Sequence, residues 1–233
     1  MSRIKFLGFA PPLPMTPALA RGLKCSENKS DWIRSWQEHG RTLEFSGSYD
    51  WLENHLVVIH KVSSIPEQAV DAVIEGMSYV SKKIGAPLIF ERTHNISLEG
   101  CVNDGVINYR TLSNHLVTSR KRPQADVVLT NQSFSEADWW GCSNYEPATM
   151  VFALKGLRSR AYSFIRKNAA HETGHLFGFN QHHPEKNISG YDFSPKETPC
   201  TMKFECDSSL CVICQDTIQS IYDQSVLRSL QNQ

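Results

Sequence analysis

The stretch His171-Glu172-Thr173-Gly174-His175 decides how this chain of 233 residues is interpreted. It holds two histidines four residues apart, with a glutamate directly after the first, which is the H-E-x-x-H pattern. Residues four apart share one face of a helix, so both imidazoles can reach a single metal ion. Histidine nitrogens with an open coordination position are what catalytic zinc requires. We therefore expect His171 and His175 to bind a catalytic zinc ion.

Glu172 is the predicted general base. It lies beside the metal rather than on it, so its carboxylate can take a proton from water and pass that proton to a leaving amine. Zinc lowers the pKa of a water molecule that it binds to roughly 7, which gives a nucleophile at neutral pH. A structural zinc site needs no such base, and Glu172 therefore favours a hydrolytic enzyme over a purely structural zinc protein.

The chain is predicted to reverse its direction soon after the motif. Gly178 stands three residues after His175. Glycine readily adopts the left-handed conformation that ends a helix and turns the chain back. Such a turn would bring a third ligand to the metal, and His182 and His183 lie just beyond it.

Cysteines indicate a second metal site. Four of the seven cysteines lie within residues 200–214, namely Cys200, Cys206, Cys211 and Cys214. An odd count with one tight cluster fits a metal site better than a secreted disulfide framework. The C-x-x-C spacing at 211 and 214 points two sulfurs at one ion. Cysteines that bind a metal must stay reduced. We therefore predict a reducing compartment, the cytoplasm.

These motifs together resemble those of a known family. Residues 171–178 resemble the elongated zinc signature of the metzincins. Cys200-Thr201-Met202 and Cys211-Val212-Ile213-Cys214 resemble the C-x-M and C-x-x-C elements of the archaemetzincin family. The resemblance implies a peptidase that acts on peptide or protein substrates and holds a second zinc mainly by cysteines. It also implies that Met202 forms an apolar floor beneath the catalytic zinc.

The expected fold is α+β, an α/β/α sandwich in which a mixed, twisted, metzincin-like sheet packs between helices. The order of segments supports this, since strands alternate with helices before an irregular, cysteine-rich stretch. We predict strands at 56–59, 88–90, 106–109, 127–129 and 150–154, the last being the edge strand that the resemblance implies. A capping box of Ser64 and Glu67 should begin a helix that ends at Gly85. Further helices are predicted at 160–177 and from about 216.

Two sets of zinc ligands fit the sequence, which we expect to bind two Zn²⁺ ions. Gln181 occupies the position of the third metzincin ligand, and an amide oxygen is a poor zinc ligand. In the first assignment the four clustered cysteines form the second site, and His182 completes the catalytic one. In the second, His182 or His183 joins the cysteines, and the catalytic zinc has two histidines plus Gln181 or water. We favour the first, because it gives each zinc a complete set of good ligands.

The composition of the chain indicates how it is divided into domains and which partners it is expected to have. We expect residues 1–50 to be an N-terminal extension of unknown role and 51–233 to be the catalytic domain. That domain would have an upper subdomain to about residue 178 and a small, zinc-rich lower subdomain at 179–233.

Formal net charge is zero, which argues against nucleic acid as a partner and thus against a zinc-ribbon nucleic-acid binder.

No apolar run is long enough to span a membrane. We expect a monomer with neither membrane nor nucleic-acid partner. The main alternative function is an inactive zinc-binding protein of the same fold that acts as a binding module, and Gln181 is its best support.

Overall fold

A five-stranded sheet organises this computed structural model, which describes residues 50–94, 96–134, 141–145, 148–156, 161–179, 199–203 and 209–231. A short 3-10 helix at Asp50–Glu53 precedes the sheet. The helices are α1 (Glu67–Ile84), α2 (Tyr109–Ser119), α3 (Tyr162–Leu176) and α4 (Val212–Gln231). The strands are β1 (Leu56–Lys61), β2 (Ile89–His94), β3 (Val102–Asn103), β4 (Val106–Ile107), β5 (Ala125–Thr130), β6 (Gly141–Tyr145) and β7 (Ala148–Ala153).

The strand order is β2-β1-β5-β7-β6, with β3 and β4 forming a separate small hairpin. Strands β2, β1, β5 and β7 run parallel, and β6 runs antiparallel to β7. The expectation that residues 150–154 form the edge strand is therefore wrong, because β7 pairs on both sides and β6 is the last strand of the sheet among the described residues. All six residues of β7 are buried, and a continuous apolar run of this kind is typical of an interior parallel strand.

Helices cover both faces of the sheet, which confirms the α/β/α architecture. On one face α1, α3 and α4 pack against side chains that share one side of the strands: Val57, Ile59, Val127, Leu129, Met150 and Phe152. On the other face Leu112 and Leu116 of α2 pack against Val128 and Val151. Alternate residues of a strand point to opposite faces, so β5 and β7 contribute to both clusters.

Close contact between α1 and α3 fixes the helix that carries the H-E-x-x-H motif. A Cβ at Gly76 of α1 would overlap the carbonyl oxygen of Arg166 and lie 2.8 Å from the Cβ of Ala169. Glycine is thus required for the two backbones to approach this closely. The second half of α3, which begins directly after Ala169, is held against α1 by this contact.

The start of α1 differs from the prediction. Its N-cap is Pro66, without a side-chain hydrogen bond to the cap, so the capping box of Ser64 and Glu67 is wrong. The carboxylate of Glu67 instead forms ion pairs with Lys61 at 3.1 Å and with Arg92 at 3.4 Å. Tertiary ion pairs have replaced the local hydrogen bond that the pattern predicted. Gly85 does end the helix, with a φ of 68°.

Helix α2 was predicted in part as a strand. Residues 106–109 divide between the two-residue strand β4 and the first residue of α2. The side chain of Asn108 caps the helix by accepting a hydrogen bond from the backbone N–H of Thr111 at 3.0 Å. An asparagine before a helix is a strong start signal, and it is the signal that the strand prediction missed.

The helices on either side of the cysteine-rich segment agree with the sequence. Helix α3 lies within the predicted range 160–177, and α4 begins at Val212, somewhat before the predicted 216. In the part of the chain that is described, no helix is both long enough and apolar enough to cross a membrane.

Candidate metal and catalytic site

His171 and His175 face each other on α3. Their Nε2 atoms are 3.1 Å apart. The Nδ1 of His171 donates to the carbonyl oxygen of Thr201 at 2.7 Å, and the Nδ1 of His175 donates to that of Phe179 at 2.6 Å. A carbonyl oxygen can only accept, so each ring carries its hydrogen on Nδ1. Each Nε2 therefore presents a lone pair toward the other, which is the arrangement of metal-ligating histidines.

This histidine pair fits a zinc ion. Two ligand nitrogens on a tetrahedral zinc, each about 2.05 Å from the metal, lie about 3.3 Å apart. The observed separation of 3.1 Å is close to that value. Burial lowers the pKa of both rings, and for His171 the neighbouring His175 lowers the pKa further. Both imidazoles are therefore held in the neutral form that binds a metal.

The turn after α3 has the geometry that the sequence predicted. Gly178 has a φ of 91°. Its N–H donates to the carbonyl oxygen of His175 at 2.8 Å, and the N–H of Phe179 donates to that of Gly174 at 3.1 Å. These two bonds form a Schellman motif. The turn also places the Phe179 carbonyl on His175, so the end of the helix orients one of the two predicted ligands.

The residues proposed to complete the histidine site lie outside the described part of the chain. They are Gln181, His182 and His183. The structure brings His171 and His175 together, and the choice of a third ligand stays a prediction.

Glu172 is buried beside the histidine pair, with 8% of its surface exposed. Its Oε2 accepts a hydrogen bond of 2.6 Å from the hydroxyl of Ser143 in β6. Burial raises the pKa of the Glu172 carboxyl, while the neighbouring His171 ring and the hydrogen bond from Ser143 act in the opposite direction. A carboxyl with a raised pKa in a buried site is suited to accept and return a proton near neutral pH.

Ser143 is a site residue that the sequence interpretation missed. It belongs to β6, whose sequence Gly-Cys-Ser-Asn-Tyr lacks the alternation of apolar and polar residues that reveals a strand. No local signal connects this serine with a motif 29 residues further along the chain.

Met202 lies against the backbone of α3 between the two histidines. The side chain is fully buried. A Cβ at Gly174 would lie 2.5 Å from the Sδ of Met202 and 2.8 Å from its Cε. Glycine at this position therefore lets the thioether approach the helix backbone. The contact is the one expected of an apolar floor under the H-E-x-x-H turn.

Three cysteine sulfurs form a second cluster that could hold a metal ion. The Sγ atoms of Cys200, Cys211 and Cys214 all lie within 4.8 Å of one another, and all three residues are buried. Cys211 immediately precedes α4, and Cys214 lies in its first turn, where its N–H donates to the Sγ of Cys211 at 3.5 Å. Cys206, the fourth predicted ligand, lies outside the described residues.

The chemistry of the three sulfurs also fits a metal. A hydrogen bond with Cys200 is the main cause that raises the pKa of Cys211 to about 12, and burial is the main cause that raises the pKa of Cys214. Such thiols keep their protons in an uncharged cluster. A divalent cation displaces those protons and compensates the thiolate charge, and zinc prefers such ligands.

Thr201 joins the two candidate metal sites. It stands between Cys200 and Met202, and its carbonyl oxygen accepts the hydrogen bond from His171. Its own N–H donates to the carbonyl oxygen of Ser209 at 2.6 Å. Residues 200–202 therefore supply a sulfur to the cysteine cluster, a hydrogen-bond acceptor to His171 and the side chain packed against α3.

Comparisons with known proteins agree with this architecture. No protein-family model matches the sequence, and the curated proteins include no significant match. Among solved structures, archaemetzincin from Methanopyrus kandleri has 19% sequence identity and a TM-score of 0.51, covering 72% of this chain and 96% of that one. This likeness shows the fold.

Two further solved structures are less similar to this chain. A zinc-dependent peptidase from Methanocorpusculum labreanum has 15% identity and a TM-score of 0.42, covering 74% of this chain and 98% of that one. Archaemetzincin from Archaeoglobus fulgidus, complexed with malonate, has 15% identity and a TM-score of 0.40, covering 74% and 99%.

Proposed function

We propose that this chain, whose fold is archaemetzincin-like, is a zinc-dependent peptidase. The observation that carries the proposal is the pair of Nε2 atoms 3.1 Å apart, oriented by two carbonyl oxygens, with a buried carboxylate on Glu172, directly after His171. This combination supplies a metal site and a base within one turn of helix. Peptide or protein substrates follow from the chemistry of the pair, as for other H-E-x-x-H hydrolases.

Glu172 carries the proton transfers in this proposal. His171 and His175 would hold the zinc, which would act as a Lewis acid and make a bound water molecule more acidic. Glu172 accepts the proton of the attacking water and later delivers it to the amine that leaves. Burial raises the pKa of this carboxyl, and the hydrogen bond from Ser143 opposes that rise.

We propose His171, His175 and His182 as ligands of the catalytic zinc. Cys200, Cys206, Cys211 and Cys214 would then hold a second, structural zinc. The orientation of the two described histidines and the proximity of three of the cysteines support this division. It gives both ions complete sets of nitrogen or sulfur ligands.

The third ligand of the catalytic zinc can be tested by comparing neighbouring positions. We expect His182→Ala to weaken zinc binding at the histidine site by about 10-fold or more, because a good nitrogen ligand is lost. Gln181→Ala should change the affinity little. The measurement is competition with a chromophoric chelator, at a stoichiometry that leaves the cysteine cluster loaded. The reverse ranking of the two variants would place Gln181 on the metal.

The organisation predicted from the sequence is part of the same proposal. Residues 51–233 would form the catalytic domain, divided near residue 178, and residues 1–50 would form an N-terminal extension. Cysteine ligands need a reducing environment to stay available to metal, so we propose a cytoplasmic location. A monomer is sufficient for this site, because all its proposed ligands come from one chain.

The proposed function is tested by metal removal. We expect the zinc-loaded protein to cleave members of a broad library of internally quenched peptides. A strong chelator should abolish the cleavage, and added Zn²⁺ should restore it, because both the Lewis acid and the activated water depend on the metal.

A loaded protein that cleaves no peptide in the library would instead support the alternative function, an inactive binding module. A contaminating peptidase is excluded by assaying Glu172→Gln purified by the same procedure.

A further inference from the structure

The antiparallel edge strand β6 contacts the carboxyl group of Glu172 at two points. The hydroxyl of Ser143 donates to Oε2 at 2.6 Å. Two residues earlier, Gly141 lies so close that a Cβ there would be 3.1 Å from Oε1 and 3.0 Å from Cγ. Residues two apart in a strand share one face, so both contacts come from the face of β6 that lies over α3.

The sheet holds these contacts in place. Ser143 is paired with Met150 and Gly141 with Phe152 in the ladder between β6 and β7. Met150 and Phe152 are fully or almost fully buried in the main core. The serine hydroxyl is therefore presented by a strand whose register is set by buried neighbours, which is a more rigid support than a loop.

A buried carboxylate without such a partner would be poorly oriented. The glutamate side chain has three rotatable bonds, and its terminal torsion has a broad preference. A hydrogen bond from Ser143 to Oε2 selects one orientation of the carboxyl plane. The absence of a side chain at Gly141 leaves the room that this orientation needs.

We propose that Ser143 is a positioning residue for the general base, and that Gly141 provides the space for the positioned carboxyl. This inference rests on the proposed peptidase function and deepens it. In this proposal Ser143 acts through its hydrogen bond to Glu172 and not on the metal or the water directly.

The test compares variants of the zinc-loaded full chain. We expect Ser143→Ala to lower kcat about 10- to 100-fold, the usual loss when a supporting hydrogen bond is removed from a metal site. KM should stay within about twofold, since the hydroxyl does not bind substrate. Zinc content should be unchanged. Ser143→Thr, which keeps the hydroxyl, should restore most of the lost kcat.

A matched control is available on the other face of the sheet. Ser113 in α2 is also buried, and its hydroxyl lies 3.1 Å from the Oγ1 of Thr149. Ser113→Ala removes a buried hydroxyl without reaching Glu172, so it should leave kcat unchanged. A loss of kcat in Ser113→Ala equal to that in Ser143→Ala would overturn the positioning role, because the effect would then reflect a general loss of packing.

A spectroscopic measurement separates this proposal from the proposed function. The infrared difference between wild type and Glu172→Gln isolates the carboxyl bands of Glu172. We expect Ser143→Ala to shift those bands and Ser113→Ala to leave them in place. Unshifted bands, or wild-type kcat in Ser143→Ala, would overturn the proposal. If the wild type cleaves no peptide but Ser143→Ala still shifts the bands, the peptidase function would be overturned and the Ser143–Glu172 contact would stand.

Discussion

Replacing Glu172 with glutamine should lower peptide hydrolysis about 10²- to 10⁴-fold, the usual contribution of a positioned general base. Glutamine has nearly the same shape as glutamate, but its neutral amide cannot take a proton from water. The hydroxyl of Ser143 can still donate to the amide oxygen at the position of Oε2. The variant should therefore fold normally and keep the full zinc content of the wild type.

Hydrolysis by Glu172→Gln is measured at saturating peptide together with zinc by elemental analysis. A control for the chemical change itself is Glu75→Gln, because Glu75 is an exposed residue of α1 whose carboxylate lies 3.5 Å from a nitrogen of Arg166. That variant should hydrolyse at the wild-type rate. Equal turnover by Glu172→Gln and wild type would contradict the peptidase proposal. A loss of zinc along with activity would mean that Glu172 supports the metal site rather than the proton transfer.

Replacing Cys211 with serine should remove one of two zinc ions and lower the melting temperature by about 10 °C or more. The sulfur of Cys211 lies within 4.8 Å of those of Cys200 and Cys214, so its loss opens the proposed four-thiolate site. Structural zinc contributes on the order of 10 kcal/mol to the folding of small metal-bound domains. Even a third of that contribution shifts the melting temperature of a chain of this size by about 10 °C.

A matched cysteine distinguishes metal loss from the general cost of a buried hydroxyl. Cys101 is almost fully buried, in the cluster on the opposite face of the sheet. Cys101→Ser should lower the melting temperature less than Cys211→Ser and should leave both zinc ions bound. If the wild type carries a single zinc, and Cys211→Ser neither loses metal nor melts earlier, the cysteine cluster has no structural metal.

The orientation of His171 depends on the same segment, through the Thr201 carbonyl. Loss of the cysteine-bound zinc should therefore also weaken the histidine site, because Thr201 directly follows Cys200. This secondary loss is distinguished by titration with added Zn²⁺, which should restore the histidine site in Cys211→Ser at a higher metal concentration. The cysteine cluster should not recover, since one of its ligands is absent.

Much of the site could be predicted because its key residues follow one another along the chain. Residues four apart, such as His171 and His175, share one face in any helix. Glycine is one of the few residue types that favour the left-handed turn found at Gly178. The C-x-x-C spacing likewise anticipated the proximity of Cys211 and Cys214. In each of these cases the geometry depends on backbone conformation over a few residues, so a local pattern was sufficient.

The edge of the sheet could not be predicted in this way. The apolar run at 150–154 indicated a strand, but which of its sides is paired depends on residues elsewhere in the chain. The true edge, β6, is short and polar and has no periodic signal. Likewise, the capping box at Ser64 was wrong because Glu67 forms ion pairs with side chains that only the folded sheet brings near.

By itself, therefore, the sequence determined which groups form the candidate site: a helix with two histidines and a glutamate, a glycine turn and a cysteine cluster. The tertiary structure decided how those groups are oriented. Ser143 meets Glu172 across 29 residues of chain, and the carbonyl of Thr201 meets His171 across 30. Contacts at such separations form only after strands and helices have packed, and packing depends on the summed burial of the whole core rather than on any local spacing.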